Sequence, residues 1–210
     1  MKHTKNKIIE SALLLFNKNG LVNVRLQHIA DNVGMSVGNL AYHYYSKKAI
    51  VEAIDKQLED EITPVLRMEQ EFPYLIDFDN HLSSYYNLLK QYSFYFLDVL
   101  EVERAYPKLH QKRKEYIHLM IHQVEKWLHL NVSKGVFMAE KEDEQYQHTA
   151  LTIWMIITFW LTQKEVRGEK DDNEGTFKKV VWNQLTALFT ESGRMEFEAI
   201  ILPQLKYYEM

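Results

Sequence analysis

No cysteine occurs in the 210 residues, which excludes disulfides and thiolate chemistry and makes a reducing cytoplasm the expected setting. Prolines number four and glycines seven, and most fall between periodic segments, where they act as punctuation. No stretch shows sustained apolar/polar alternation bounded by hairpin turns, which argues against a sheet-based fold. Long apolar runs are missing too. The most apolar stretch, Ala150–Leu161, is about half the length needed to cross a bilayer, so it reads as a buried helix and no membrane contact is expected. The run Ala12–Phe16 is too short for a secretory signal and sits between Glu10 and Lys18. What remains, 46% hydrophobic and 26% charged residues, describes an ordinary folded chain rather than a disordered one.

The net charge of −4 hides an asymmetry. Residues 1–50 carry seven basic side chains (Lys2, Lys5, Lys7, Lys18, Arg25, Lys47, Lys48) against Glu10 and Asp31, a net +5, and the rest of the chain carries −9. A basic head on an acidic body suits contact with nucleic acid through one end only.

Periodicity predicts helices at about 4–19, 26–33, 37–44, 47–68, 79–102, 108–133, 142–167 and 175–192, with a short tail helix near 195–201. In the first, Ile9, Ala12, Leu13 and Phe16 form one apolar stripe while Lys5, Lys7, Glu10 and Lys18 are polar. Thr4 is expected to cap its start and Gly20 its end. The next two helices are too short to stand alone and should cover that stripe.

The segment from Leu26 to Tyr45 meets the demands of two short helices crossing through a tight turn. Ala30 is small where the helices approach, and Gly34 tolerates a positive φ in the turn. Ile29, Val33, Met35 and Leu40 supply the shared core, and Ser36 caps the second helix. Ser46-Lys47-Lys48 then opens the following helix with a cap and two cations in the first turn. Lysines there oppose the helix dipole, a conflict that a bound phosphate would resolve.

The ordered set Gly20, Ile29-Ala30, Gly34-Met35-Ser36, Gly38-Asn39-Leu40, His43-Tyr44 and Ser46-Lys47 resembles the N-terminal signature of TetR-family regulators over about residues 4–50. The remainder resembles that family in length and helical character. The resemblance implies an all-α fold: a three-helix DNA-binding head with a helix-turn-helix over 1–48, then a helical effector-binding and dimerisation bundle over 49–210. Two positions depart from the family pattern. Arg25 stands where Ser or Thr usually caps the second helix, and Ala41 stands where a recognition-helix Tyr is usual, with Tyr42 beside it. Tyr44 is expected to pack inward in place of the family's Phe.

With that assignment, Ser36, Val37 and Asn39 are placed for base edges in a major groove of double-stranded DNA, and Gly38 lets the backbone approach closely. Arg25, Gln27, Tyr42, His43 and Lys47 are the candidate phosphate contacts, which set register more than sequence.

The body is rich in aromatics, among them Tyr85, Tyr95, Phe96, Tyr116, Trp127, Trp154 and Trp160. Most should be core, and a pocket among them would suit a small, largely apolar effector with a few polar handles. No individual effector contact is assigned. His118, His122 and Glu125 share a helix face, but the spacing is not that of a zinc-protease motif, and neither a metal, a cofactor nor enzymatic activity is expected. Broad apolar surfaces at 142–167 (Leu151, Trp154, Met155, Ile157, Leu161) and 175–192 (Val181, Trp182, Leu185, Leu188, Phe189) are expected to pair across a homodimer axis. The acidic stretch Lys164–Glu174 between them reads as a surface excursion. The expected function is a ligand-responsive repressor that reads a pseudo-palindromic operator as a dimer and is released by an effector. The alternative is an effector-independent, DNA-bound architectural or scaffold protein whose acidic body recruits a partner.

Overall fold

A computed structural model describes residues 2–66, 74–169 and 173–207, with backbone alone at 2, 66, 108–112 and 207. The first helix, α1 (Lys2–Asn19), begins two residues before the expected cap, so Thr4 lies inside its first turn. It stops where Gly20 turns to φ +76° and donates its N–H to Phe16 O at 2.9 Å. Ile9, Ala12 and Phe16 are buried as the stripe predicts, joined by Ile8, while Leu13 is half-buried. Three helices close over that stripe: α2 (Leu26–Val33), α3 (Val37–His43) and α4 (Lys47–Leu66). Residues 67 and 68 of the expected fourth helix lie outside the described residues.

The long helix expected at 79–102 is three helices instead: α5 (Leu75–Gln91), α6 (Ser93–Leu97) and α7 (Val99–Ala105). No glycine or proline marks the first break. It is held from α1, whose Asn17 amide donates to Gln91 O at 2.8 Å and accepts from Phe94 N–H at 3.0 Å. One side chain thus satisfies two of the backbone groups that the break removes from the helical ladder.

Pro107 occupies the first turn of α8 (Pro107–Ser133), where its missing N–H costs nothing. This helix packs along α9 (Gln145–Val166). Of the expected excursion at Lys164–Glu174, residues 170–172 lie outside the described residues.

The helix expected at 175–192 ends early. The observed α10 spans Glu174–Asn183, followed by a 3₁₀ turn at Thr186–Leu188. Phe189 then runs extended and pairs with Phe137 in an isolated antiparallel bridge, the two rings stacked 5.1 Å apart. Thr190 N–H donates to Val136 O at 3.0 Å, and its hydroxyl caps α11 (Glu191–Glu196). A π-helical turn over Phe197–Ile201 leads into α12 (Leu202–Tyr207), so the tail helix is longer than expected. The π turn falls just before Pro203, which has no N–H to continue the α ladder. Gly193 lies where a Cβ would stand 2.1 Å from Val136 O, so this tail is seated by close backbone contact.

Among the described residues two hydrophobic clusters form. The body cluster is built on α5, α8, α9 and α10, with Trp127 stacked on Phe78 at 4.2 Å. The head cluster takes Ile29, Leu40, Ile50 and Ile54, and also Leu88, Tyr92, Phe94, Tyr95 and Val102 from α5 to α7. Head and body therefore share apolar packing at their junction. Within the body, buried Asp79 on α5 is 2.8 Å from Lys178 Nζ on α10 and accepts Trp182 Nε1–H at 2.9 Å. Among the described residues no helix is long and apolar enough to cross a membrane.

Candidate functional site

The helix-turn-helix is set by contacts within a few residues. Gly34 takes φ +76°, a left-handed conformation suited to glycine, and Met35 N–H donates to Ala30 O at 3.0 Å. Ser36 Oγ accepts from Asn39 N–H at 3.2 Å and caps α3. Ile29 and Leu40 are fully buried between the helices, with Val33 and Met35 half-buried beside them.

On the outer side of this turn Ser36, Gly38 and Asn39 are exposed and Val37 is half-buried. A Cβ at Gly38 would meet no other side chain or backbone atom closer than Ser36 Oγ at 4.0 Å. Nothing among the described residues requires glycine there, although glycine in a helix costs about 1 kcal/mol relative to alanine. The position suits a backbone that something outside the protein must approach.

The five expected phosphate contacts occupy different environments. Arg25 is exposed at the cap of α2 and its side chain accepts nothing; its backbone N–H is met by His28 Nδ1 at 3.3 Å. Gln27 is exposed and donates to Asp31 Oδ1 at 2.6 Å. Tyr42 is 75% exposed, its ring edge-on to His43 at 5.3 Å. His43 is half-buried, and its Nδ1 is covered without a hydrogen bond.

Lys47 differs from the others. Its ammonium is drawn back onto Leu21 O and Val22 O in the α1–α2 connection, and lies 5.8 Å from the Phe16 ring centre. Burial lowers its pKa, and Glu101 opposes that shift. Lys48, one residue on, is exposed instead. Tyr45, 78% exposed, stands beside this surface, and sequence pattern alone does not distinguish it from Tyr42 and Tyr44. Tyr44 is half-buried against the head cluster as expected, and burial raises its pKa.

A cavity of about 70 Å³ lies between the head-bearing α4 and the body. Its wall takes Leu58 and Ile62 from α4, Tyr85 and Leu89 from α5, Tyr95 and Phe96 from α6, and residues of α8 and α9. Five of the aromatics noted in the sequence line it (Tyr85, Tyr95, Phe96, Tyr116, Trp154), while Trp127 belongs to the solid core. Arg113, which no local pattern marked, is also in the wall, its guanidinium 4.3 Å over the Tyr95 ring. Burial pushes the Tyr95 hydroxyl up to about 12, with Arg113 pulling the other way.

Elsewhere, His118 and His122 are exposed, His122 Nδ1 being 3.9 Å from Glu125 Oε2. No group of three or more metal-binding side chains forms among the described residues. The apolar surface expected on 175–192 is not available to a partner, because Val181, Trp182, Leu185, Leu188 and Phe189 are all buried within the protomer. The folding back of 188–193 onto 136–138 and the packing of α12 on α10 account for this. On α9, Ile157 is likewise buried, but Leu151, Met155 and Phe159 remain exposed at four-residue spacing, one stripe of the helix.

A capped recognition helix held by a glycine turn on a three-helix head, joined to a large helical body, defines a helix-turn-helix transcriptional regulator. Family profiles bear this out: that of bacterial regulatory proteins of the tetR family matches residues 8–54, and that of the TetR bacterial transcriptional repressors matches 57–197. The chain belongs to the TetR family of DNA-binding regulators. It is similar to the biofilm operon icaADBC HTH-type negative transcriptional regulator IcaR of Staphylococcus aureus (strain Newman), 29% identical over 106 residues, 50% of this chain and 51% of that protein. The chain thus spans about half the length of the curated relatives it matches. A TetR-family regulator from Marinobacter aquaeolei VT8 shares the fold with a TM-score of 0.84 at 23% identity, over 97% of this chain and 98% of that one. The SmeT–triclosan complex shares it at 0.55 and 14% identity, over 90% and 93%.

Proposed function

We propose that the protein is a ligand-responsive repressor that binds a pseudo-palindromic operator as a homodimer and releases it when a small, largely apolar effector enters the cavity beneath α4. The observation that carries this reading is the double duty of α4. Its first half buries Ile50, Val51 and Ile54 in the head core, and its second half walls the cavity with Leu58 and Ile62. At about 70 Å³ the cavity is well below the roughly 300 Å³ of an ordinary ligand pocket. A ligand of that ordinary size enters only by moving α4 against α6 and α8, and α4 carries the head with it. The repressor sign draws on the description of the matching profile and of IcaR as a negative regulator. The small-molecule effector draws on the SmeT–triclosan complex.

In this reading Ser36, Val37, Gly38 and Asn39 face base edges, while Arg25, Gln27, Tyr42 and His43 hold the backbone phosphates. Exposed Lys48 takes the lysine's share of phosphate contact, and Lys47 instead fixes the α1–α2 connection against the start of α4. The stripe Leu151, Met155 and Phe159 on α9 supplies the two-fold interface.

The test fills the cavity from within. Thr158 of α9 lines the cavity, and Thr158→Trp introduces an indole there without altering a head residue. Operator affinity, measured by gel shift with selected DNA, is expected to fall at least tenfold while the helical signal is retained. Unchanged affinity with an intact fold would overturn the release mechanism and leave the scaffold reading in its place.

A further inference from the structure

The cavity wall contains two buried polar side chains, Tyr85 and Arg113, each with an atom that makes no hydrogen bond. Tyr85 is 5% exposed and its hydroxyl makes no hydrogen bond. Arg113 is 9% exposed, and its Nη1 hydrogen-bonds to nothing; the carboxylate of Glu103 stands 3.5 Å off as an ion-pair partner. The guanidinium otherwise lies over the rings of Tyr95 and Phe96, at 4.3 and 5.8 Å. Other unpartnered buried groups of the body, such as Trp127 Nε1 and Trp160 Nε1, are not in this wall.

Buried polar groups in folded proteins are nearly always paired, because an unpaired one costs the full desolvation penalty. A guanidinium can only donate, and a phenol hydroxyl can donate as well. Two donors set in a largely apolar wall therefore ask for an acceptor oxygen carried on an apolar frame. A negatively charged acceptor answers the guanidinium best, since charge-assisted hydrogen bonds are about twice as strong as neutral ones. The carboxylates of the α4 wall do not offer the opposite chemistry freely. Asp55 and Glu59 both have interactions within the protein, Asp55 with the Tyr95 hydroxyl.

We propose that the effector is a small apolar monocarboxylate, its carboxylate held by Arg113 and the Tyr85 hydroxyl and its frame lying among Leu58, Ile62, Leu89 and Met120. This rests on the effector-released repressor reading and gives it a chemical class. A cationic ligand would set its charge against Arg113 and would have to compete for Asp55 and Glu59, which already have interactions within the protein, and a neutral amide would forgo the charge-assisted bond.

The test uses the full-length protein with two frames in three charge states: benzoate, benzamide and benzylamine, and octanoate, octanamide and octylamine. Calorimetry reads binding and a gel shift reads release from selected operator DNA. The expected result is that the carboxylate of at least one frame binds at least tenfold tighter than its amide and its amine, and displaces the DNA. Tyr85→Phe is expected to weaken that carboxylate about tenfold, the loss of one charge-assisted hydrogen bond. Its melting temperature without ligand should be unchanged or higher, since the hydroxyl lost had no partner. An amine or amide binding as well as the carboxylate would overturn the assigned class, and so would no binding by either frame, with water alone meeting the two donors. Carboxylate binding without any effect on the operator complex would keep the site and overturn its role in release.

Discussion

The head and the body are held together in different ways. In the head, side-chain hydrogen bonds close over short stretches of chain: Asn39 to Ser36, Ala49 to Ser46, Gln27 to Asp31, with Lys47 to Leu21 spanning 26 residues. In the body, Lys178 reaches Asp79 across 99 residues and Trp182 reaches the same carboxylate across 103. The head presents its distinctive residues outward, at Ser36, Gly38, Asn39 and Tyr42, whereas the body buries most of its aromatic residues together with a few charged ones, Asp79, Arg113 and Lys178 among them. Substitutions should therefore separate cleanly. Changes at outward head residues should alter which DNA is bound, and changes at inward body residues outside the cavity wall should alter whether the chain stays folded.

The sharpest test of this division is Asp79→Asn. It leaves Lys178 with only the Glu174 carboxylate, 3.3 Å away, and so costs about 3 kcal/mol, the low end for a broken buried pair, read as a shift in the urea midpoint. Adding Lys178→Met should recover much of that loss, and no recovery would show that the pair is not what holds α5 to α10.

The next effect is one of pH. Burial lowers the His81 pKa from 6.5 to about 4. The unfolded chain then takes up a proton below about 6.5 that the folded chain refuses until about 4, so stability is full above that window and falls as pH descends through it. The fall amounts to about 3 kcal/mol, and His81→Phe should flatten that part of the stability curve.

At the seam between the two regions, Asn17→Ala removes the partners of Gln91 O and Phe94 N–H, for a loss of about 1–2 kcal/mol. Helical content should change little. A loss within experimental error would mean that the α5–α6 break is held by packing alone. The smallest stability effect belongs to the head surface. Asn39→Ala should stay within about 0.5 kcal/mol of the parent, while discrimination between bases changes by about 1–3 kcal/mol.

The same contrast explains what could be read from the sequence. Gly34, Ser36 and Ser46 act on groups within four residues of themselves, so their roles follow from local pattern, and α2 falls on 26–33 as periodicity predicts. The α5–α6 break depends on Asn17, more than seventy residues earlier, and nothing within 79–102 marks it. The early end of α10 depends likewise on Phe137 and Val136 receiving Phe189 and Thr190, so an apolar run that suggested an interface proved to be core. At the candidate site, exposure sorts residues that periodicity could not. Tyr42 and Tyr45 point out, Tyr44 is covered, and Lys47 is turned onto backbone carbonyls while Lys48 is not. Arg113 gave no local signal at all, because its importance comes from the aromatic wall that α6 brings to it.

Binding-site selection from random duplex DNA, run in parallel on the parent and on Asn39→Ala, tests the head's role most directly. The account predicts that the parent enriches an inverted repeat with half-sites about one helical turn, or a small multiple of it, apart. The variant, equally stable, should relax the preference at one position in each half-site. Enrichment of no inverted repeat by the parent, or of the same motif with the same preference by both proteins, would contradict it.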